Sequence, residues 1–422
     1  MNVTLEQQAK DAAELAAKGA SPRRWWVVCL LSLGMVIAYC DRVNVSAVLP
    51  EIGRTMGLDK EQLGITQSAF FWTYALFQIP AGMLVDRYGV RILYFFGFLL
   101  WSVASAATTM ATGLESLIVL RMLVGTGESV VTSCSLRYIA AHFLEKERGA
   151  AVGVYMTGTK IGPAIGIPIA AFLSGMYGWQ AMFAILGLGS LLWLIPWMSW
   201  VKKDDPSAQG RKTGAGQAAN VTLGQALRSP LMWGIIGGTY CYMYFVYYCM
   251  TWMPTYFREK HGMSITKMSW FSFVSFAGMA AVAALAGWAA DRMIARGADP
   301  IKTRKWFTIA GFAAAATQTM SVFTASEPLM IFFTVFSLCG LGLATANYWA
   351  LTQTLMPGAL PVAIQNTAAN FAGIVAPWFT GFMVQQTGSF DTPIKAVGLW
   401  LALGIGCYLI LVRREYAPKS RA

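Results

Sequence analysis

Long apolar stretches separated by short polar intervals are the dominant pattern along the chain. Trp25 to Cys40 and Ile92 to Leu114 carry no charge at all. Apolar runs of about 20 residues are what a helix needs to cross the ~30 Å hydrocarbon core of a bilayer. The pattern predicts twelve helical spans, at about 25–49, 63–85, 92–113, 115–137, 150–173, 180–201, 231–256, 266–290, 306–325, 328–356, 364–387 and 396–412. The longest polar interval, Val201 to Pro230, contains SAQGRKTGAGQAAN and reads as a flexible linker. The expectation is an all-α membrane protein of two six-helix bundles, 23–201 and 231–412, joined by a linker at 202–230.

Composition strengthens this picture. Of the 422 residues 56% are hydrophobic and 12% charged, against about 25% charged in soluble domains. A soluble protein has no means of covering so many apolar runs. The first 22 residues are polar and helix-prone, with no apolar h-region, so they read as an N-terminal extension rather than a cleavable signal. A short tail follows at 413–422.

Charge sets the orientation. With the amino terminus inside, segments on that face hold 23 of the 32 Lys and Arg residues against 6 on the other, three lying within spans. That split is a positive-inside signal and predicts both termini in the cytosol. The net charge of +12 is thereby accounted for by topology, and a nucleic-acid partner is not expected. The seven cysteines all fall in apolar segments without C-x-x-C spacing. His142 and His261 sit near segment ends and form no metal cluster, so neither a metal nor another cofactor is expected.

The two halves repeat. Gly82, Asp86, Arg87 and Arg91 in GMLVDRYGVR recur as Gly287, Asp291, Arg292 and Arg296 in GWAADRMIAR, each offset by 205. Both copies lie at the inner end of the second helix of their half. Parallel repeats suit a transporter whose site lies between the halves near mid-membrane.

Ionisable residues inside spans are costly and mark ion or substrate paths. The first span carries Asp41 and Arg42, the fourth Arg121 and Glu128, the fifth Lys160; the second half has none in its span interiors. At 1.5 Å per residue, Asp41, Arg42 and Arg121 lie roughly 24–26 Å from the inner face, and Glu128 and Lys160 roughly 13–15 Å. Two layers are predicted, an outer one of an acid and two arginines and a central one pairing Glu128 with Lys160. Asp41 and Arg42, about 100° apart on one helix, must point differently. Fixed ion pairs that only hold helices together are the structural alternative. An arginine is always charged and binds carboxylates bidentately, and an embedded acid can take up and release a proton as the cavity alternates. Anion and proton would then travel together as a neutral load.

Other candidates for a cavity wall are Tyr39, Asn44, Tyr74 and Gln78, the stripe Tyr240, Tyr244, Tyr248 and Trp252 on the seventh span, Asn347 and Trp349 on the tenth, and Asn366 and Asn370 on the eleventh. The stripe either lines the cavity or packs against neighbours. Gly158, Gly162 and Gly166 form a small-xxx-small series that reads as a packing face.

GMLVDRYGVR resembles the signature loop between the second and third helices of the major facilitator superfamily, with Val90 where many members carry a basic residue. The resemblance implies a cytosolic gate at Gly82, Asp86, Arg87 and Arg91, mirrored by Asp291 and Arg292. YCDRVNVSAVLP, SAFFWTYALFQIPAGMLVDRYG, RMLVGTGES and NYWALTQ resemble the anion:cation symporter branch, which includes bacterial galactonate, glucarate and hexuronate transporters. It implies Asp41 and Glu128 as proton sites and Arg42 at the substrate carboxylate. Lys160 falls outside the branch's pattern. The expected function is proton-coupled symport of a small organic anion, a sugar acid such as an aldonate, aldarate or hexuronate, by a monomer in a bacterial inner membrane. Another carboxylate, dicarboxylate or aromatic, or sodium in place of protons, is the alternative. The chain has no Ser/His/Asp set, metal cluster or phosphate loop of an enzyme.

Overall fold

The structure, a computed structural model, describes residues 23–202, 223–324, 326–356 and 359–416, and these are almost wholly helical. The expected extension 1–22, most of the linker and the last six residues of the tail lie outside the described residues. The long helices are α1 (Arg23–Met56), α2 (Lys60–Tyr88), α3 (Val90–Ala107) and α4, which runs from Leu114 to His142. α5 (145–177) and α6 (179–200) follow, and after the linker α7 (Pro230–Thr251) and α8 (Ile265–Ala295). The last four are α9 (Pro300–Ala316), α10 (Glu327–Leu355), α11 (Ala359–Thr387) and α12 (Asp391–Ile410).

Local chemistry explains the breaks. Asp59 caps α2 through its carboxylate on the Gln62 N–H, and the Gln62 side chain returns to the Asp59 N–H. Gly89, at φ 77°, turns the chain from α2 into α3, a left-handed position that favours glycine. Gly178, at φ 84°, breaks a continuous helical run between α5 and α6. Beyond it α6 packs back along α3: the Thr109 hydroxyl donates to Gln180 O at one end, and the Trp197 indole to Arg91 O at the other.

Among the described residues nine helical runs are long and apolar enough to cross a membrane. One of them, Glu147–Trp200, has 54 residues, about 80 Å of helix and more than twice a bilayer's thickness. α7 is outside the nine although it is 22 residues long; its tyrosines lower its mean hydropathy. α9, at 17 residues, is also outside the nine. Large apolar side chains such as Trp26, Ile79, Phe172, Leu285 and Trp288 are exposed on the outside, as lipid-facing side chains are.

α1 packs along α5, α2 along α4, α8 along α10, and α9 along α10. The predicted packing series on α5 does meet α1: a Cβ on Gly158 would stand 2.6 Å from Ser32 O, and one on Gly166 2.9 Å from Cys40 Cα. Across the linker, α2 lies against α11 and α5 against α8. The end of the molecule where α1 begins and the tail returns is called here the terminal face, the opposite end the distal face. Ser229 Oγ donates to Tyr416 O on the terminal face.

Candidate functional site

The charges of α1 and α4 meet in the interior. Arg42 Nε donates to Glu128 Oε2 at 2.7 Å, with both side chains almost fully buried. The predicted pairing of Glu128 with Lys160 is therefore not present. Two things defeat it. The flat layers took no account of the reach of an arginine side chain. Lys160 also lies about 160° around α5 from the glycine face that packs on α1. Among the described residues, no hydrogen bond or ion pair reaches the half-buried Lys160.

Arg42 and Asp41 do point differently. The Arg42 guanidinium stands over the rings of Tyr39 at 4.5 Å, Tyr74 at 4.6 Å and Phe70 at 5.0 Å, an aromatic cage around the cation. Asp41 turns to α3: its Oδ1 accepts from Ser105 Oγ at 3.2 Å and from Asn44 Nδ2 at 3.1 Å. Asn44 thus braces Asp41. Arg121 reaches the backbone of Asp41 rather than its carboxylate, Nη1 to O at 3.4 Å. Among the described residues, Glu128 Oε1 and Arg121 Nε are buried without a hydrogen-bond partner, which is costly unless something visits. Gly125 lets α4 approach α2: a Cβ there would meet Thr73 Oγ1 at 2.7 Å and the carbonyl of Phe70. Arg121 and Glu128, one turn either side, are thereby set against the Phe70 face.

A cavity of about 10 Å³ lies against these charges, lined by Arg42, Gln67, Phe70, Arg121, Tyr247 and Thr251 among others. That is near the least volume that holds one water molecule. The wall from the second set of helices is Tyr247, Met250 and Thr251, and the Tyr247 ring meets Phe71 at 4.5 Å between centroids. The stripe singled out in the sequence faces elsewhere. Tyr240 and Tyr244 pack on Trp400, at 5.2 and 5.6 Å, and the Trp252 indole donates to Pro377 O; Tyr248 is buried beside Phe245. Tyr240, Tyr244 and Trp252 thus pack toward α11 and α12. Tyr247, Gln67, Phe70 and Thr251 were missed. The available signal was the i, i+3, i+4, i+7 series Gln67, Phe70, Phe71, Tyr74 on α2, one helix face opposite the charges.

The remaining polar candidates form two separate groups. Gln78 Oε1 accepts from both Asn366 Nδ2 at 3.0 Å and Asn370 Nδ2 at 2.9 Å, a bridge between α2 and α11. Asn347 lies nearer the terminal face, where Arg304 Nη1 reaches its Oδ1 at 3.5 Å. Trp349 is half-buried, its ring tilted against that of Tyr348 at 5.3 Å between centroids. Neither Asn347 nor Trp349 is among the residues lining the cavity.

At the terminal face the two sequence repeats keep their charges to themselves. Asp86 pairs with Arg137 of α4 at 3.3 Å, and Asp291 with Arg304 of α9 at 2.7 Å. Arg87 and Arg292 are exposed beside Tyr88 and Trp288. Arg91 is a brace, its Nη2 donating to Met198 O at 2.7 Å. A Cβ on Gly82 would meet nothing within 4 Å. The distal face is joined across the linker instead: Arg258 pairs with Glu51, Lys60 with Glu259, and the Trp378 indole with Glu61, while Ser68 Oγ donates to Ile374 O.

Known proteins share this architecture. A bacterial homologue of the human lysosomal transporter Spinster, solved facing inward, superposes with a TM-score of 0.78 over 96% of this chain and 100% of that one, at 17% identity. The D-galactonate transporter of Escherichia coli O6:H1 is 28% identical over 426 residues, covering 94% of this chain and 98% of the relative. The hexuronate transporter of Bacillus subtilis is 28% identical over 394 residues, 88% and 90% of the two chains. A probable chloroplastic anion transporter of Arabidopsis thaliana is 30% identical over 404 residues, 90% and 77% of the two. The profile of the Major Facilitator Superfamily matches residues 31–362, and with helices of this length and apolarity the chain belongs to that superfamily, as a multi-pass membrane transporter and not an enzyme.

Proposed function

We propose that the chain is a proton-coupled symporter of a small organic anion, a sugar acid by the similarity of its relatives to galactonate and hexuronate carriers. The observation that carries this reading is the buried Arg42–Glu128 pair at 2.7 Å, open on one side to a cavity between the two sets of helices. The pair is a competition in waiting. A proton on Glu128 cancels its charge and loosens its claim on Arg42. The guanidinium, still caged by Tyr39, Phe70 and Tyr74, then has its fork free for a substrate carboxylate. When the carboxylate leaves, Glu128 gives up its proton and takes Arg42 back. Asp41, held by Ser105 and Asn44 and touching Arg121 through its backbone, is the second proton site.

In this reading the chain crosses the membrane twelve times, as two six-helix bundles in parallel repeat, with α5 and α6 counted separately across Gly178. It works as a monomer in a bacterial inner membrane with both termini, and so the terminal face, in the cytosol. The distal pairs hold the outer side shut. The Asp86 and Asp291 loops form the cytosolic gate, each closed on its own half until the bundles rock together. The amide bridge of Gln78 with Asn366 and Asn370 opens when a hydroxylated substrate takes over its hydrogen bonds, and Lys160 attracts anions to the path. Purified protein in liposomes, given labelled galactonate or glucuronate with an acid exterior, should accumulate the acid above equilibrium. Accumulation that survives collapse of the pH gradient but needs sodium would reject the proton coupling.

A further inference from the structure

The Gln67 side chain has no part in the reading above, and its surroundings are unusual. It is 2% exposed, yet among the described residues no hydrogen bond reaches its side-chain amide, and Nε2 is shielded from solvent without a partner. The Arg121 Nε is in the same condition. Both residues line the cavity that Arg42 also lines. Gln67 lies one turn from Phe70 on α2, and Phe70 has the Arg42 guanidinium 5.0 Å from its ring and that of Arg121 at 5.7 Å. The third wall is α7, whose Thr251 spends its hydroxyl proton on Tyr247 O at 2.7 Å and so has only lone pairs to offer.

A buried, unpaired amide costs about 1–3 kcal/mol, and the chain gains nothing structural from it. The ligand group that answers it must fit a space for one oxygen. It must also accept from an amide N–H or an arginine N–H, and donate to Gln67 Oε1 or Thr251 Oγ1. A carboxylate is too large and cannot donate. A methyl or ring satisfies neither partner. A hydroxyl satisfies both.

We propose that Gln67, with Arg121 and Thr251, forms a hydroxyl-reading subsite on the distal side of Arg42, which selects acids bearing a hydroxyl one or two carbons from the carboxylate. This rests on the assignment of Arg42 to the carboxylate and deepens it. Gln67 acts on selectivity, not on coupling. It supplies a pair of hydrogen bonds that an unsubstituted acid leaves unmade, so such an acid is rejected for the polar groups it strands.

The test compares gluconate with hexanoate, two six-carbon monocarboxylates with and without hydroxyls, binding to the full chain in nanodiscs and followed by tryptophan fluorescence. The wild-type chain should bind gluconate at least about tenfold more tightly. Gln67→Met, of similar shape without the amide, should weaken gluconate about tenfold and hexanoate less than about twofold. Gln67→Asn, the variant to use if the methionine form does not fold, should weaken gluconate alone, by shortening the amide's reach. Arg42→Gln should weaken both acids. Equal effects of Gln67→Met on the two acids, or none on gluconate, would overturn the subsite while leaving Arg42 in place. Failure of Arg42→Gln to weaken either acid would overturn the carboxylate assignment, and the subsite with it.

Discussion

The two sets of helices differ most where they face each other. The first presents buried charge: Asp41, Arg42, Arg121 and Glu128 are all at most 7% exposed. The second presents Tyr247, Met250 and Thr251 to the same cavity, and its own long aromatic stripe is turned inward to α11 and α12. One wall can change its electrostatics when a proton or an anion arrives; the other can only move against it. Coupling chemistry and gating are thus divided between two parts of one chain that share a fold.

Substitutions that erase the division should have the largest effects. Glu128→Gln keeps the shape but cannot titrate, so proton-driven accumulation in liposomes should fall by about 100-fold or more, while exchange of internal for external substrate persists. Removing one partner of a buried ion pair costs about 3–5 kcal/mol, and folding must be checked by size exclusion alongside. A Gln variant that still concentrates substrate would make Glu128 a structural acid. Arg42→Lys puts a point charge where a planar fork is caged by three rings; about a tenfold or greater loss in substrate affinity is expected, read by binding titration. Near-normal affinity would transfer the carboxylate to Arg121.

Gly125→Val sharpens the comparison by moving the charges without changing them. The new side chain meets Thr73 Oγ1 and the Phe70 carbonyl, so α4 must draw away from α2. Overpacking of this kind costs about 1–3 kcal/mol, and Tm in detergent should fall by several degrees with transport lost in parallel. An unchanged Tm would mean the α2–α4 contact is loose.

The moving wall is tested at the distal face. Glu51→Gln with Lys60→Gln removes two partly exposed pairs across the seam, each worth about 0.2–1 kcal/mol. A shift of up to about 30-fold toward an open distal face should follow, seen as faster labelling of a cysteine placed at Ser68 by an impermeant reagent. No change in labelling would mean that packing, and not charge, closes that side. The smallest effect is expected at Lys160. Because Glu128 is held by Arg42 and not by this amine, Lys160→Met should leave the pH profile of uptake in place and lower its rate less than about threefold. A displaced pH optimum would reinstate the pairing that the geometry lacks.

Much of this was legible in the chain itself. The spans came from apolar runs that only a lipid environment accommodates, and the glycine series on α5 marked its contact with α1. The embedded charges were visible because each is improbable in a span, and the 100° step from Asp41 to Arg42 required them to diverge. Tertiary structure alone decided who meets whom. Sequence spacing measures depth along one helix, but a pair forms through rotation about the axis and side-chain reach, which no single helix encodes. Arg42 thus took Glu128 from Lys160. For the same reason the tyrosine stripe at 240, 244 and 248 turned inward, while Tyr247, which shares their composition but not their face, came to stand against the charges with Gln67.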